Sequence, residues 1–350
     1  MKMLSNINQI VLVTGGVGFI GSHTVLSLIE NGYKPIIIDN LTNGHSIALD
    51  RIKSITDVRP IFYEGDIRDK NLLSKIFNEN KVNAVIHFAG LKSVQESFSD
   101  PNYYYETNVV GTTILLDEMK HADVKKIIFS SSATVYGEPN YLPIDEEHPR
   151  KFINPYGETK LKIEDILISL SNNDPNWSIG ILRYFNPIGA HRSGLIGEDP
   201  KGVPQNLMPF LTNVALGKIK ELKIYGSDYP TPDGTGIRDF IHVMDLAEGH
   251  LSTLEHLNNN SGIEILNLGT GEGTSVLDLI KTFQDVNKVE IPFSFHDRRP
   301  GDVFSSFAQV SKAKSILNWK TKRNLKLMCK DSWRWQNKNP NGYGTKYDKK

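Results

Sequence analysis

Between Gln9 and Arg183, short runs of apolar and β-branched residues alternate with longer segments whose apolar positions recur at helical spacing. The runs are Ile10–Thr14, Pro35–Asp39, Pro60–Tyr63, Ala84–Ala89, Lys126–Ser131 and Trp177–Arg183. Strands that are apolar almost throughout are buried on both faces. The pattern therefore predicts an α/β fold, a doubly wound parallel sheet of Rossmann type with helices on each side. Beyond Asn186 the texture changes to stretches rich in Gly, Pro and polar residues (Pro187–Pro204, Tyr229–Gly236, Asp297–Asp302) with shorter elements between them. This predicts a first domain over 1–186 and a second, smaller α/β domain over 187–350. Residues 237–270 again read as helix and buried strand, so they are expected to return to the first domain. The Asn-, Gly- and Lys-rich stretch 337–350 is expected to be a flexible tail.

The first strand runs into Thr14-Gly15-Gly16-Val17-Gly18-Phe19-Ile20-Gly21, and Ser22–Glu30 continues with helical spacing. Glycines at 15, 18 and 21 permit a tight turn, close backbone approach to a pyrophosphate, and close packing of helix on strand; the anion would rest on the helix N-terminus. A plain strand-to-helix turn would need no such ligand. Asp39, at the end of the second strand, sharpens the reading. A carboxylate there accepts hydrogen bonds from ribose hydroxyls and repels a 2′-phosphate, which favours NAD over NADP. Further cofactor candidates stand at strand ends: Asn40, Asp66 and Ile67, then Phe88, Ala89, Gly90 and Lys92, with Asn108 on the next helix and Ser130 and Tyr184 beyond. Gly269, Gly271 and Gly273 form a second glycine-rich turn, read as a plain loop.

Tyr156 and Lys160 lie four residues apart after Pro155, on one face of a predicted helix. A phenol is a poor base at neutral pH without a cation beside it. An ammonium at ~4 Å would supply roughly 4 kcal/mol at an effective dielectric near 20, which predicts a Tyr156 pKa lowered by about three units. Ser132, last of the serines 130–132, offers a hydroxyl to the substrate oxygen. Together these groups suit alcohol oxidation by hydride transfer.

Composition narrows the partners. Forty Lys plus Arg balance forty Asp plus Glu, so nucleic acid and anionic membrane are not expected. The single cysteine, Cys329, forms no intrachain disulfide and no cysteine zinc cluster, and no His spacing suits a metal, so no metal is expected. The absence of a long apolar run or a secretory leader pattern makes the cytoplasm the expected compartment.

The motifs Thr14–Gly21, Gly65–Ile67, His87–Lys92, Phe129–Gly137, Tyr156–Lys160, Leu182–Gly189, Asn206–Pro209, Gly234–Asp245 and Arg298–Asp302 run over essentially the whole chain. By them the sequence resembles the extended short-chain dehydrogenase/reductases, and within these the UDP-hexose 4-epimerases. The resemblance implies that Ser132, Tyr156 and Lys160 are catalytic and that NAD stays bound as a recycled prosthetic group. It implies interconversion of UDP-galactose and UDP-glucose through a 4-keto intermediate that turns over before it is reduced. It further implies a UDP-sugar site from Phe185, Asn186, Asn206 and Leu207, Lys223 and Tyr225 near the uracil, and Arg238, Arg299 and Asp302 on the diphosphate and ribose. A homodimer through the helices Pro101–Lys120 and Pro155–Leu170 is implied as well. Ser306 stands where glucose- and galactose-restricted relatives resemble one another in a bulky Tyr, so acceptance of UDP-GlcNAc and UDP-GalNAc is expected. A sugar-nucleotide 4,6-dehydratase would need an acid pair where Ala133 and Thr134 stand. A net dehydrogenase would exchange its cofactor at each turnover, and a non-catalytic NAD-sensing protein would have no use for Ser132, Tyr156 and Lys160.

Overall fold

The computed structural model describes residues 9–202, 204–299 and 301–344. Six strands come from the first half of the chain: β1 (Ile10–Thr14), β2 (Lys34–Asp39), β3 (Ile61–Glu64), β4 (Val82–His87), β5 (Lys126–Ser132) and β6 (Ser178–Tyr184). Between them run α1 (Phe19–Glu30), α2 (Ile47–Thr56), α3 (Lys70–Glu79), α4 (Val94–Ser99), α5 (Pro101–Tyr105), α6 (Gly111–His121) and α7 (Pro155–Asn173). Each predicted apolar run lies on one of these strands, with ends shifted by a few residues. The core strands β1, β5 and β6 are buried nearly throughout, which is why their sequences do not alternate.

The second half supplies β7 (Asn186–Ile188), α8 (Leu207–Ala215), β8 (Leu222–Tyr225), β9 (Ile237–Arg238), β10 (Phe240–His242), α9 (Val243–Leu257) and β11 (Gly262–Leu268). These are followed by β12 (Thr274–Ser275), α10 (Val276–Asn287), β13 (Phe293–His296), β14 (Ser305–Ser306), α11 (Ser311–Leu317) and α12 (Leu325–Lys338). Strand β11 joins the main sheet beside β6, Gly262 against Ser178 through Leu268 against Tyr184. The seven strands take the parallel order β11-β6-β5-β4-β1-β2-β3, with the direction of succession reversing between β1 and β4. In such sheets ligands bind outside the carboxyl ends at that reversal.

One apolar core packs α1, α2 and α9 on one face of the sheet through Val25, Leu28, Leu49 and Leu254; a second packs α3, α6 and α7 on the other through Leu73, Leu115 and Leu167. A separate cluster holds the second half together around Leu211, Ile224, Leu279 and Phe283. Strands β9 and β10 pair away from the main sheet, with β12, β14 and β7.

The expected flexible tail needs correction within the described residues. Its segment 337–344 is docked, because Tyr343 is buried between Trp335 and His45, with ring centroids at 4.9 and 5.2 Å, and its backbone N–H donates to Asp199. Residues 345–350 lie outside the described residues. No described helix is long and apolar enough to cross a membrane.

Candidate active site

The loop from β1 to α1 is built so that side chains cannot enter it. Gly15 has φ +69°, and a Cβ there would stand 2.8 Å from the Ala89 nitrogen; a Cβ on Gly21 would stand 2.2 Å from the Gly15 carbonyl. The glycine loop therefore lies directly against Phe88–Ala89 after β4. No side chain caps α1 and its first turn carries no acid, so Phe19, Ile20 and Gly21 present free N–H groups to an anion. Gly18 leaves this entrance open. Asp39 is buried and accepts the backbone N–H groups of Val17 and Leu41 at 3.2 and 2.9 Å. Burial raises its carboxyl above the ordinary range, offset in part by those two bonds. Beside it Asp66 is gripped by Arg68 in a two-pronged bond and by Asn40, and these hold its carboxyl at about 2. Buried Ile67 supplies an apolar flank. This open, anion-seeking cradle with a ribose-facing carboxylate fits a dinucleotide.

Asn108, expected to contact the cofactor, is tied to the loop that borders the glycine cradle. A π turn over Glu106–Val110 rotates it onto the loop after β4. There its amide accepts from Leu91 N–H at 2.7 Å and donates to the Leu91 carbonyl and Thr159 hydroxyl, both at 3.0 Å. Its polar atoms are spent on shaping the Gly90–Lys92 loop.

Helix α7 begins with Pro155 in its first turn and Asn154 accepting the Gly157 N–H at 2.8 Å, which fixes the chain just where Tyr156 leaves it. Lys160 is buried one turn on, and its ammonium donates to the Ser130 carbonyl at 2.7 Å, 5.8 Å from the Tyr156 ring centroid. The expected lowering of the phenol is not what this geometry gives. Burial pushes Tyr156 up to about 12, the neighbouring Ser132 hydroxyl pulling partly back, and burial presses Lys160 down to about 8 despite the Glu164 carboxylate. The contact expected from helical spacing is a charge pair in a wet site. Desolvation of both groups outweighs it, and the ammonium is engaged by a carbonyl. In the protein alone burial therefore disfavours the charged form of both groups. Ser132 Oγ meanwhile accepts from Thr134 N–H and hydroxyl at 3.2 and 3.0 Å, which holds it at the strand end facing Tyr156.

Tyr184 lies behind this group, near Ser130 and Tyr156. Its hydroxyl donates to Nε2 of buried His250, whose Nδ1 donates to the Leu246 carbonyl at 2.8 Å. Burial presses His250 down to about 4, so the ring is a neutral, fixed acceptor. Sequence reasoning missed His250; a lone histidine on an apolar helix face gives no signal of its partner. His87 on β4 is buried between the hydroxyls of Thr14 and Thr112 at 2.7 and 2.9 Å.

Across the cleft stands a wall from the second half. Arg299 lies over the Tyr225 ring at 3.9 Å, with its Nε buried and without a hydrogen-bond partner among the described residues. Arg238 approaches Asp302 at 3.9 Å, and burial, with Arg299 nearby, presses on its charged form. Two guanidinium groups held together in this way call for an anion between them. Ser306 sits beside Arg238 in the β14–β9 pairing, and Phe185 is buried against Val135, Ala308 and Tyr136. Asn206, ahead of α8, donates to Glu198 at 2.7 Å and leaves Leu207 N–H at the helix start. Asn186 is exposed where the chain passes from β6 to β7, and Lys223 projects outward from β8 beside Tyr225. The second glycine turn is a loop tied down by buried Asp239, which accepts from Thr270 and Gly271 N–H at 2.7 and 2.9 Å. Among the described residues no group of three or more His, Cys, Asp or Glu could hold a metal ion.

A glycine cradle with the buried Asp39 carboxylate beside it and a Ser-Tyr-Lys group at the carboxyl end of the sheet define an extended short-chain dehydrogenase/reductase. A family model described as GDP-mannose 4,6 dehydratase matches residues 12–332. The UDP-glucose 4-epimerase of Bacillus subtilis is 54% identical over 333 residues, 95% of this chain and 98% of the relative. The crystal structure of UDP-glucose 4-epimerase from Bifidobacterium longum in complex with NAD+ and UDP superposes with a TM-score of 0.93 at 50% identity, covering 95% and 100% of the two chains. The UDP-Glc/GlcNAc 4-epimerase of Campylobacter jejuni follows at 0.82 and 35%, covering 94% and 99%. The chain belongs to the UDP-glucose 4-epimerase family.

Proposed function

We propose that this protein is an NAD-dependent isomerase that interconverts UDP-galactose and UDP-glucose at C4 of the hexose. The observation that carries the reading is the placement of Tyr156, Ser132 and Lys160 between a dinucleotide cradle and a paired-arginine wall. NAD would be held by Gly15–Gly21, Asp39, Asp66 and the loop after β4, and would supply the hydride chemistry at C4. Tyr156 takes the C4 hydroxyl proton as the phenolate, a form that burial disfavours and that cationic charge beside the ring favours, and gives the same proton back as the phenol. Ser132 hydrogen-bonds the same oxygen. Lys160, fixed by the Ser130 carbonyl, contributes the chain's own positive charge to that exchange. Arg238, Arg299 and Tyr225 grip the nucleotide diphosphate, so the hexose is held mainly through its handle and is free to present either face. Ala133 and Thr134 follow Ser132 where elimination of water would need an acid and a base, which argues against a 4,6-dehydratase. The direct test is incubation of purified protein with UDP-galactose and no added cofactor. UDP-glucose should accumulate without net NADH; stoichiometric NADH would instead mark a dehydrogenase, and no turnover a silent binding protein.

The small Ser306 supports turnover of UDP-GlcNAc and UDP-GalNAc as well. Ser306→Tyr should lower the ratio of acetamido to plain-hexose turnover by at least about tenfold, since a pocket that has lost the room for a substituent rejects it by a kcal/mol or more. An unchanged ratio refutes this.

The protein is read as a homodimer. A groove of about 520 Å³ runs between α6 and α7, with Val109, Leu116, Ile166 and Leu170 in its lining, charged residues such as Asp117 and Lys162 beside them, and Tyr105 exposed at it. Sedimentation equilibrium should give about twice the chain mass of 39.3 kDa, and a monomer mass rules the dimer out. A cytoplasmic location suits a chain whose one cysteine is a buried thiol pushed up to about 12; cell fractionation tests it.

A further inference from the structure

The run Glu198–Lys201, from the second half of the chain, bridges the mouth of the dinucleotide cleft. Strand β1 lies between β4 and β2, so a segment that touches the loops after both neighbours passes above the glycine loop. On the β4 side the Glu198 carboxylate, 9% exposed, meets the Lys92 ammonium at 3.4 Å. On the β2 side Asp199 pairs with His45, carboxylate to Nε2 at 3.4 Å and carbonyl to Nε2 at 3.1 Å. Lys201 donates its backbone N–H to Asn43 Oδ1 at 3.3 Å and its ammonium to the Leu41 carbonyl, next to Asp39.

The two ends of this run differ in how firmly they are seated. The Glu198 carbonyl accepts the buried Trp335 indole N–H at 3.1 Å, and its carboxylate also takes the Asn206 amide. At the other end the hydrogen bonds and the ion pair to the β2 loop lie nearer solvent: Asp199 also accepts the Tyr343 N–H, but Lys201, Asn43 and the His45–Asp199 pair are at least partly open to water. A run anchored at one end in the core and latched at the other by solvent-reachable bonds opens from the latched end.

Resting on the NAD reading above, we infer that Glu198–Lys201 is a clasp over the bound dinucleotide, latched by Lys201 and Asp199 onto Leu41, Asn43 and His45, and that it keeps the cofactor resident from one turnover to the next. A ligand seated against the glycine loop leaves only from states in which the latch is undone. Removing latch bonds therefore raises the open population and the release rate together. The clasp carries no atom into the reaction; it acts on how long the dinucleotide stays.

The test uses the full chain as purified, loaded with labelled NAD, and follows loss of label into excess unlabelled NAD. Lys201→Ala combined with Asn43→Ala should release NAD about tenfold faster, the effect of losing one charge-assisted bond, while Lys201→Arg stays close to wild type. Far-UV circular dichroism reports whether the variants keep their fold. Amide exchange supplies a second measurement on the unmutated protein: saturating NAD should slow exchange at Asp199 and Lys201. Release rates that agree within about twofold across these variants overturn the clasp, as does exchange at 199 and 201 indifferent to NAD. Wild-type protein that neither contains NAD as purified nor binds it overturns the functional reading, and the clasp with it.

Discussion

Tyr156→Phe is expected to cut epimerase turnover by about 10²- to 10⁴-fold, the usual range for loss of a positioned general acid–base. The substitution removes only the hydroxyl. The ring keeps its place at the start of α7, where Pro155 and the Asn154 cap set the backbone independently of it. Cofactor content should therefore be unchanged, and the loss should fall on turnover rather than on binding. Ser132 cannot substitute, because its Oγ already accepts two bonds from Thr134 and no charged side chain is hydrogen-bonded to it. Initial rates with UDP-galactose, set beside the NAD content of the same preparation, decide the matter. A variant that turns over within about tenfold of wild type, with its NAD intact, would take the proton exchange away from this residue.

The second large effect is on stability and arises beneath the site. Glu164 is fully buried, two turns after Tyr156, and accepts from four donors: Ser131 Oγ at 2.6 Å, Arg183 Nε at 3.0 Å and Nη2 at 2.7 Å, and Arg150 Nη1 at 3.3 Å. Arg183 is itself buried and reaches on to the Tyr136 hydroxyl at 2.9 Å, which donates to Asn267 on β11 at 2.6 Å. Glu164→Ala strands a buried guanidinium and should cost about 3–5 kcal/mol, because an uncompensated charge is left in a dry interior. The exposed pair Arg59–Asp50, at 3.0 Å, is the natural comparison; Arg59→Ala there should cost less than about 1 kcal/mol. Denaturant midpoints for both variants, compared at equal slope, check the contrast. A cost below about 1 kcal/mol for Glu164→Ala would show that water or a shifted side chain takes over the carboxylate's place.

The legible part of this molecule is the part whose signal is local. Strands β1, β2 and β4 to β6 announce themselves because burial on both faces demands unbroken apolar runs, and Gly15 and Gly21 stand out because close approach to Ala89 and to the loop's own carbonyl excludes a Cβ. Tyr156 and Lys160 are visible because one helix carries both. What stays hidden depends on partners distant in the chain. The electrostatics of the pair are one such case, since spacing says nothing of the Ser130 carbonyl that takes the ammonium or of the desolvation that governs the phenol. Asn108 does lie beside the loop after β4, but its π turn has no composition of its own. His250, Asp239 and the run Glu198–Lys201 act through contacts made across 30 to 160 positions of sequence, which periodicity cannot report. Tyr343 sits in a stretch whose Asn, Gly and Lys content reads as solvent-loving, yet one aromatic ring and one backbone bond suffice to seat it.

The sheet's last place is filled by β11, which arrives from the far side of the substrate wall. A fragment ending at Asn186 would finish on β6 with a row of unmatched peptide groups and, with α9 gone, a bare apolar flank over Leu26 and Leu182, an invitation to self-association. The cofactor-binding half is thus no cassette to be excised, transplanted or fused at its apparent border. A breakpoint that keeps the sheet whole has to fall beyond Leu268.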